Sequence, residues 1–493
     1  MNVEATARMA LEQVQARPAA LLIDNEWVPA ASGRRSPTYD PSTGEMIADY
    51  AVSDVSDISQ AVAAAKQAQV KWAALTLAER ASYLPKLKEE LVRRRELFAA
   101  IDSMNGGLSY GGMLSDVNRI IDLLDIWPGL ARAMQGQVLH DGTPGLHYTR
   151  FAPYGVVAKI IAYNHPFQFA MKGTIPALLA GNTAVLKPAD QTPLSLMLLG
   201  EVIREILPAG VLNIVTGGAE AGEAMVTHHD IRRVAFTGSV RTGLAIQARA
   251  AQDNVRHITL ELGGKNAMIV FSDVDVKQVV QNIIFGMNLQ ANAGQSCGST
   301  SRIFAHRDVY QALEKELGEA LGRMRLGPSY AEDTDMGPVV DSAAVERVGR
   351  FVQGALDEGA KLVSGGAGDS RLPESGNFVA PTLLSEVRQT FEVAREEVFG
   401  PVLSMLPWDD YEAMIDDVNS VDYGLTASVW TNDLSAALRT VDRVEAGYVW
   451  VNHSTAHYFG MPFGGWKNSG LGKEECLAEY ESFLQAKSVN IRL

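Results

Sequence analysis

Two cysteines occur in the 493 residues, and one of them, Cys297, lies in "NAGQSCGSTSR", a run of small side chains with no acid and one arginine. A thiol attacks as its thiolate, and at a free pKa of about 8.5 only a small fraction is ionised at neutral pH. A nucleophilic cysteine must therefore be approachable and electrostatically favoured. Gly294, Ser296, Gly298 and Ser299 leave it room, although small neighbours also surround structural cysteines. Both readings stand on local grounds. Possible partners lie far off in the chain. Glu261 in "ELGGK" closes an apolar strand ahead of two glycines, an odd place for a carboxylate unless it faces a cavity. Asn164 in "AYNHPF" follows another strand end, where an amide could donate to a developing oxyanion.

A second set of residues could bind a nucleotide. In "FTGSVRTG" a strand ends at Phe236, Gly238 permits close backbone approach, and Ser239 opens a helix whose free N–H groups favour an anion. A plain turn with Ser239 as helix N-cap is the competing reading. "GGAEAG" at 217–222 is a weaker glycine signal. Lys187 and Asp190 in "LKPADQTP" could hold ribose hydroxyls, the carboxylate repelling a 2′-phosphate, or could form a surface ion pair. Glu397 and Phe399 in "REEVFGP" offer a carboxylate and a ring suited to a ribose and a nicotinamide.

The elements that must position these residues alternate. Residues 56–104 carry apolar side chains at helical intervals. From 155 onward short β-prone runs at 156–162, 183–187, 212–216, 233–237, 258–262 and 267–271 alternate with amphipathic stretches. This pattern predicts an α/β protein with a parallel sheet covered on both faces, its ligands at the carboxyl ends of the strands. A second α/β segment follows from 272 to 465, with strands in "SRIFAH", "ASVWT" and "GYVWVN". The length suggests about three domains, or two large ones with an appendage.

A hydrophobic share of 47% gives material for sizeable cores, and a formal charge of −15 argues against nucleic acid or an anionic membrane as partner. The densest basic cluster, "VRRRE" at 92–96, lies in a helical pattern and reads as a solvated face. Two cysteines make no disulfide framework and have no zinc-site spacing. No secretory signal or bilayer-spanning run is evident, so a cytoplasmic location is expected.

The stretches "AYNHPF", "LKPADQTPLS", "FTGS", "LELGGKN", "NAGQSC", "EEVFGPV" and "PFGGWKNSGLGKE", in that order, resemble the NAD(P)-dependent aldehyde dehydrogenase superfamily over nearly the whole chain. The resemblance implies a Rossmann-like cofactor domain (1–130 and 150–263), an α/β catalytic domain (264–465) and a small β oligomerisation element (131–149 and 466–493). It places the nucleophile on Cys297, the general base on Glu261 and the oxyanion amide on Asn164, aided by the Cys297 backbone N–H. It assigns cofactor contacts to Ile161, Lys187, Asp190, Gly218, Gly222, Phe236, Gly238, Ser239, Leu262, Glu397 and Phe399. The aldehyde tunnel would be lined by His165, Phe167, Met171, Ser296, Gly298, His457 and Phe463. That mixture suits a medium or large aldehyde, aromatic or hydroxylated. The implied reaction is oxidation of an aldehyde to its acid with NAD, through a thiohemiacetal and thioester on Cys297 that water hydrolyses. A homodimer or homotetramer is implied, and no metal.

The chain departs from the usual pattern in four places. Asp190 stands where glutamate is common, favouring NAD while leaving room for NADP. Tyr163 and His165 replace a frequent tryptophan and phenylalanine. "DSMNGGLSYGG" near 105 lacks a usual lysine, which bears on the local turn. Ser296 and Gly298 leave space beside the thiol. His453 and His457 are four apart, but no acid lies between them and no third ligand is near, so they read as loop or tunnel residues. His228 and His229 read as a helix terminus. Two alternatives remain: acyl transfer to coenzyme A, against which Glu261 argues, and a non-catalytic protein keeping the fold.

Overall fold

The computed structural model describes residues 2–16, 19–140, 142 and 144–492. Its first sheet of eight strands, counted among the described residues, has at its centre five parallel strands in the order Leu212–Ile214, Thr183–Lys187, Val156–Ile160, Ile231–Thr237 and His257–Glu261. Val156–Ile160 and Thr183–Lys187 are buried along their whole length, as a parallel sheet covered on both faces requires. Antiparallel strands close the edges: Leu21–Ile23 with Glu26–Val28 on one side, Gly470–Leu471 on the other. A second, seven-stranded sheet runs Lys361–Ser364, Thr382–Ser385, Val402–Trp408, Arg302–His306, Ala267–Val270, Thr426–Trp430, Tyr448–Val451. The long helices Leu84–Gly106 and Tyr110–Arg132 pack together over the first sheet's core, with Phe98, Ile120 and Trp127 fully buried.

The lysine-free turn at 105 is built by other means. Gly107 closes the first of these helices at φ 67°, a left-handed conformation that glycine adopts without strain. Asn105 donates to Thr38 Oγ1 at 2.7 Å and to the Gln191 carbonyl at 3.1 Å. The helix Ala219–Thr227 ends at His228, as the sequence suggests, and the arginines of "VRRRE" lie on an accessible helix face.

A third sheet joins Val138–Leu139, Leu146–Pro153 and Leu484–Ile491. Here the expected boundaries need revision. Leu146–Pro153 is one continuous strand across the 149/150 division. The segment from 466 is not a single tail element: Trp466–Lys467 pairs with Tyr423–Gly424, and Gly470–Leu471 extends the first sheet. Tyr480 and Phe483 fill the first core. The reason is visible in the hydrogen bonds, since the Ser469 carbonyl accepts from Leu262 N–H at the end of the Glu261 strand. Among the described residues of the segment from 466, only Leu484–Ile491 belongs to the small sheet.

One buried acid makes stability depend on pH. Asp102 is 2% exposed, and burial pushes its carboxyl up to about 7 against the hydrogen bond that its Oδ2 accepts from Phe167 N–H. An acid whose pKa is raised on folding contributes fully below its ordinary value of 3.8, and that contribution is lost as pH climbs to about 7. Asp102→Asn should therefore gain on the wild type between pH 4 and pH 8, by on the order of 1–3 kcal/mol in urea unfolding. A difference constant across that range would contradict the assignment.

Candidate active site

Glu261 ends its strand because the chain there turns away from the sheet through Gly263 and Gly264. A Cβ on Gly263 would lie 2.0 Å from Glu397 Oε2, so glycine is required for Glu397 to lie over the turn. Glu397 Oε1 in turn accepts the Gly264 N–H at 2.9 Å. Cys297 follows the short helix Leu289–Asn292, and its carbonyl accepts from Asn266 Nδ2 at 2.7 Å. Ser296 Oγ accepts the Gly298 N–H at 3.3 Å. The loop is thus pinned by its backbone while the thiol stays partly accessible.

A single cavity of about 910 Å³ brings the distant motifs together. Its lining includes Lys187, Asp190, Gly218 and Gly222, Phe236, Gly238 and Ser239, and Asn164, Glu261, Leu262, Cys297, Glu397 and Phe399. Ile161 lines it too, and its N–H donates to the Lys187 carbonyl at 3.1 Å. The walls are shaped for close approach by a long ligand. A Cβ on Gly238 would meet the Phe236 ring at 2.4 Å, and one on Gly218 would come within 3.2 Å of Asp190 Oδ2. Lys187 Nζ donates to the Pro188 and Gly217 carbonyls and to Asp190 Oδ1. Ser239 is the N-cap of Val240–Ala250, its hydroxyl accepting Thr242 N–H at 3.3 Å. Phe399 has φ 53°, unusual for a ring-bearing residue. Arg347 holds it there by donating to the Val398 and Phe399 carbonyls.

Near Glu261 stands a charged cluster of which the motifs held only Glu474, the last residue of "PFGGWKNSGLGKE". Lys172 Nζ sits 2.9 Å from Glu474 Oε2 and 3.0 Å from Glu475 Oε1. Burial would lower Lys172, but the two glutamates hold it well above its ordinary range. Burial would likewise raise Glu474 and Glu475, but Lys172 keeps both below the usual carboxylate range. For Glu261 burial wins: together with Glu474 it pushes the carboxyl well up, with Lys172 in opposition. Burial, then Glu261 and Glu397, push the Cys297 thiol up as well. Burial raises Glu397 to about 7. Cys297 and Glu261 thus line one cavity, and burial favours the neutral form of each.

The substrate-side residues divide. His165 has its ring 5.3 Å from that of Phe169, which lines the cavity. His457 stacks on Tyr448 and lies 4.5 Å from the Phe463 ring. Phe167 and Met171 differ from expectation. They are 0% and 1% exposed, one helical turn apart on the inner face of Pro166–Lys172, and Phe167 packs on Phe98 at 4.5 Å. Phe169, rotated off that face, takes the cavity position. His457 Nδ1 faces Glu475 at 3.2 Å while His453 Nδ1 contacts the Ser454 backbone, so the two imidazoles serve separate partners. Arg241 and Thr242, from "FTGSVRTG", also line the cavity, as do Arg249 and Arg347, which had no motif to announce them.

The chain, with this fold and a cysteine and glutamate lining this cleft, belongs to the aldehyde dehydrogenase family, whose sequence profile matches residues 27–489. Such enzymes oxidise aldehydes to acids. Aldehyde dehydrogenase tropH of Talaromyces stipitatus is 40% identical over 482 residues, covering 96% of this chain and 93% of that one. The NAD+ complex of a Bacillus cereus aldehyde dehydrogenase superposes with a TM-score of 0.94 at 35% identity, over 98% of both chains. Betaine aldehyde dehydrogenase of Staphylococcus aureus, in complex with NAD+, gives 0.95 at 28% identity, over 100% of this chain and 98% of that one. Among the described residues no helix is long and apolar enough to cross a membrane.

Proposed function

We propose that the chain oxidises a medium-sized or aromatic aldehyde to its carboxylic acid with NAD, using Cys297 as nucleophile and Glu261 as general base. The observation that supports this is that one cavity is lined by Cys297, Glu261 and Asn164 and also by Lys187, Asp190 and Ser239. Lys187 and Asp190 suit ribose hydroxyls, the Val240–Ala250 N-terminus suits a pyrophosphate, and Glu397 suits the second ribose. NAD, when bound, supplies the hydride acceptor. Cys297 gives its thiol proton to solvent water and as the thiolate attacks the aldehyde carbon, the carbonyl π pair moving onto oxygen, which Asn164 with the Cys297 N–H receives. Asn164 is 2% exposed, so its amide acts in a poorly hydrated wall. After hydride loss the acyl group remains on Cys297 as a thioester. Glu261 then removes a proton from water, which attacks the thioester and releases the acid. Lys172 lies where it can stabilise Glu261 as a carboxylate, and Glu474 balances that lysine.

Asp190 is 43% exposed at its side chain and a negative neighbour for any 2′-phosphate, which supports NAD over NADP. The exposed strands Leu146–Pro153 and Leu484–Ile491 support a homodimer or homotetramer built on the small sheet, and the acidic surface supports a cytoplasmic setting. The test is NADH formation across aromatic, aliphatic and semialdehyde substrates with product analysis. Free acid formed without coenzyme A is expected. An acyl-thioester formed only with coenzyme A would assign the chain to acyl transfer instead. Replacing Lys172 by Met should lower kcat about 10-fold or more and move its acid limb to higher pH, because Glu261 loses the charge that favours its base form. An unshifted pH profile would remove Lys172 from this role.

A further inference from the structure

We propose that Asp116, His165 and Asn292 form a subsite that selects aromatic aldehydes bearing a hydroxyl group. The proposal rests on the aldehyde-oxidising reading and names the class of substrate. Asp116, on the helix Tyr110–Arg132, accepts from Gln168 Nε2 at 2.7 Å with one oxygen and faces His165 Nδ1 at 2.6 Å with the other. Both carboxylate oxygens are thereby engaged. A carboxylate at Nδ1 fixes the proton on that nitrogen and leaves Nε2 as an acceptor. Its polar neighbour is Asn292 Nδ2 at 3.4 Å, longer than a well-formed N–H hydrogen bond. Asn292 is 1% exposed and its Oδ1 has no hydrogen-bond partner. A buried amide with an empty acceptor beside an underused imidazole nitrogen is a costly arrangement for a chain to keep with no ligand to complete it.

A hydroxyl completes it, because one O–H group donates and accepts at once. It can donate to His165 Nε2 or Asn292 Oδ1 and accept from Asn292 Nδ2. A substrate carboxylate is disfavoured by Asp116, and a methyl ether cannot donate. The link to the cavity is the His165 ring, which lies 5.3 Å from that of Phe169, a residue of the cavity wall; in the chain His165 adjoins Asn164, and Asn292 precedes Cys297 by five residues. The rings of Phe169, Phe463, His457 and Tyr448 give the aromatic surroundings. Asp116 acts through His165 and is a positioning residue.

The experiment compares kcat/KM for NADH formation with benzaldehyde, its monohydroxylated isomers and the matching methoxybenzaldehydes. At least one hydroxylated isomer should exceed both benzaldehyde and its own methyl ether by about 10-fold or more. In His165→Phe and Asp116→Leu that ratio should fall to about one. Because both members of each ratio use the same preparation, a smaller folded fraction cancels, and a purely structural defect leaves the ratio unchanged. A wild-type ratio near one for every isomer, or an unchanged ratio in both variants, overturns the subsite. In that event continued oxidation of benzaldehyde leaves the broader reading standing. No NADH from any aldehyde removes both.

Discussion

Cys297→Ala is expected to abolish acid formation, with kcat/KM falling by about 10⁴-fold or more, while NAD binding measured by fluorescence or calorimetry stays close to wild type. The size of the loss follows from the chemistry. Without sulfur no covalent bond forms to the aldehyde carbon, and an oxyanion held by Asn164 has no precursor. Serine at this position would be a poorer test, since a hydroxyl beside Glu261 retains a nucleophilic oxygen. Retention of cofactor binding matters as much as loss of turnover, because Cys297 shares its cavity with Lys187 and Ser239 and a collapsed loop would affect both. Substantial acid formation by the alanine variant would sink the covalent mechanism. The second cysteine, Cys476, is buried at 4% exposure and should not substitute.

Glu261→Gln should separate the two halves of the reaction. A burst of NADH, up to one per active site, is expected at near wild-type rate, followed by steady turnover reduced about 10²–10⁴-fold. Electrostatics supports the surviving burst: Glu261 is among the groups that push the Cys297 thiol up, so an amide there removes a like charge from beside the forming thiolate. The pH midpoint of the burst should consequently move down in the variant. Deacylation has no such substitute, since glutamine cannot take a proton from water. Loss of the burst would instead make Glu261 the base that ionises Cys297.

Much of this site was legible in the sequence, and the parts that were not share a cause. Strand ends followed by glycine, asparagine or a lone carboxylate marked Asn164, Lys187, Gly238 and Glu261, because a parallel sheet gathers its strand termini on one edge. The six short runs from 156 to 271 match strands in the structure, although Ala267–Val270 lies in the second sheet. Cys297 and Glu261, 36 positions apart, could be paired only by the family resemblance. Lys172 and Glu475 escaped because charges near helix ends ordinarily read as solvated, and Glu474, though it closes a quoted motif, carried no role there. One signal was available: Lys172 is the lone charge in the apolar run "FQFAMKGTIPALLAGN", and a lysine with such neighbours is either buried and paired or misplaced. Phe167 and Phe169 show the opposite limit. Two residues apart on one helix, they cannot share a face, and the alignment of motifs alone does not say which one faces the ligand.

The strand Gly470–Leu471 ties these observations together. By joining the first sheet beside Glu261, it brings the segment that carries Glu474 and Glu475 towards Glu261, whose carboxyl is pushed up first by burial and then by Glu474. Sequence periodicity could not reveal a two-residue edge strand.

The central claim is that the acyl group passes through a covalent bond to Cys297 before water takes it. Intact-protein mass measurement of Glu261→Gln, quenched in acid after mixing with NAD and an aldehyde that the wild type turns over, tests it most directly. The account predicts added mass equal to the acyl group, mapped by peptide analysis to Cys297 and matched in amount to the NADH burst. An NADH burst with unmodified Cys297, or acyl mass on another residue, would contradict it.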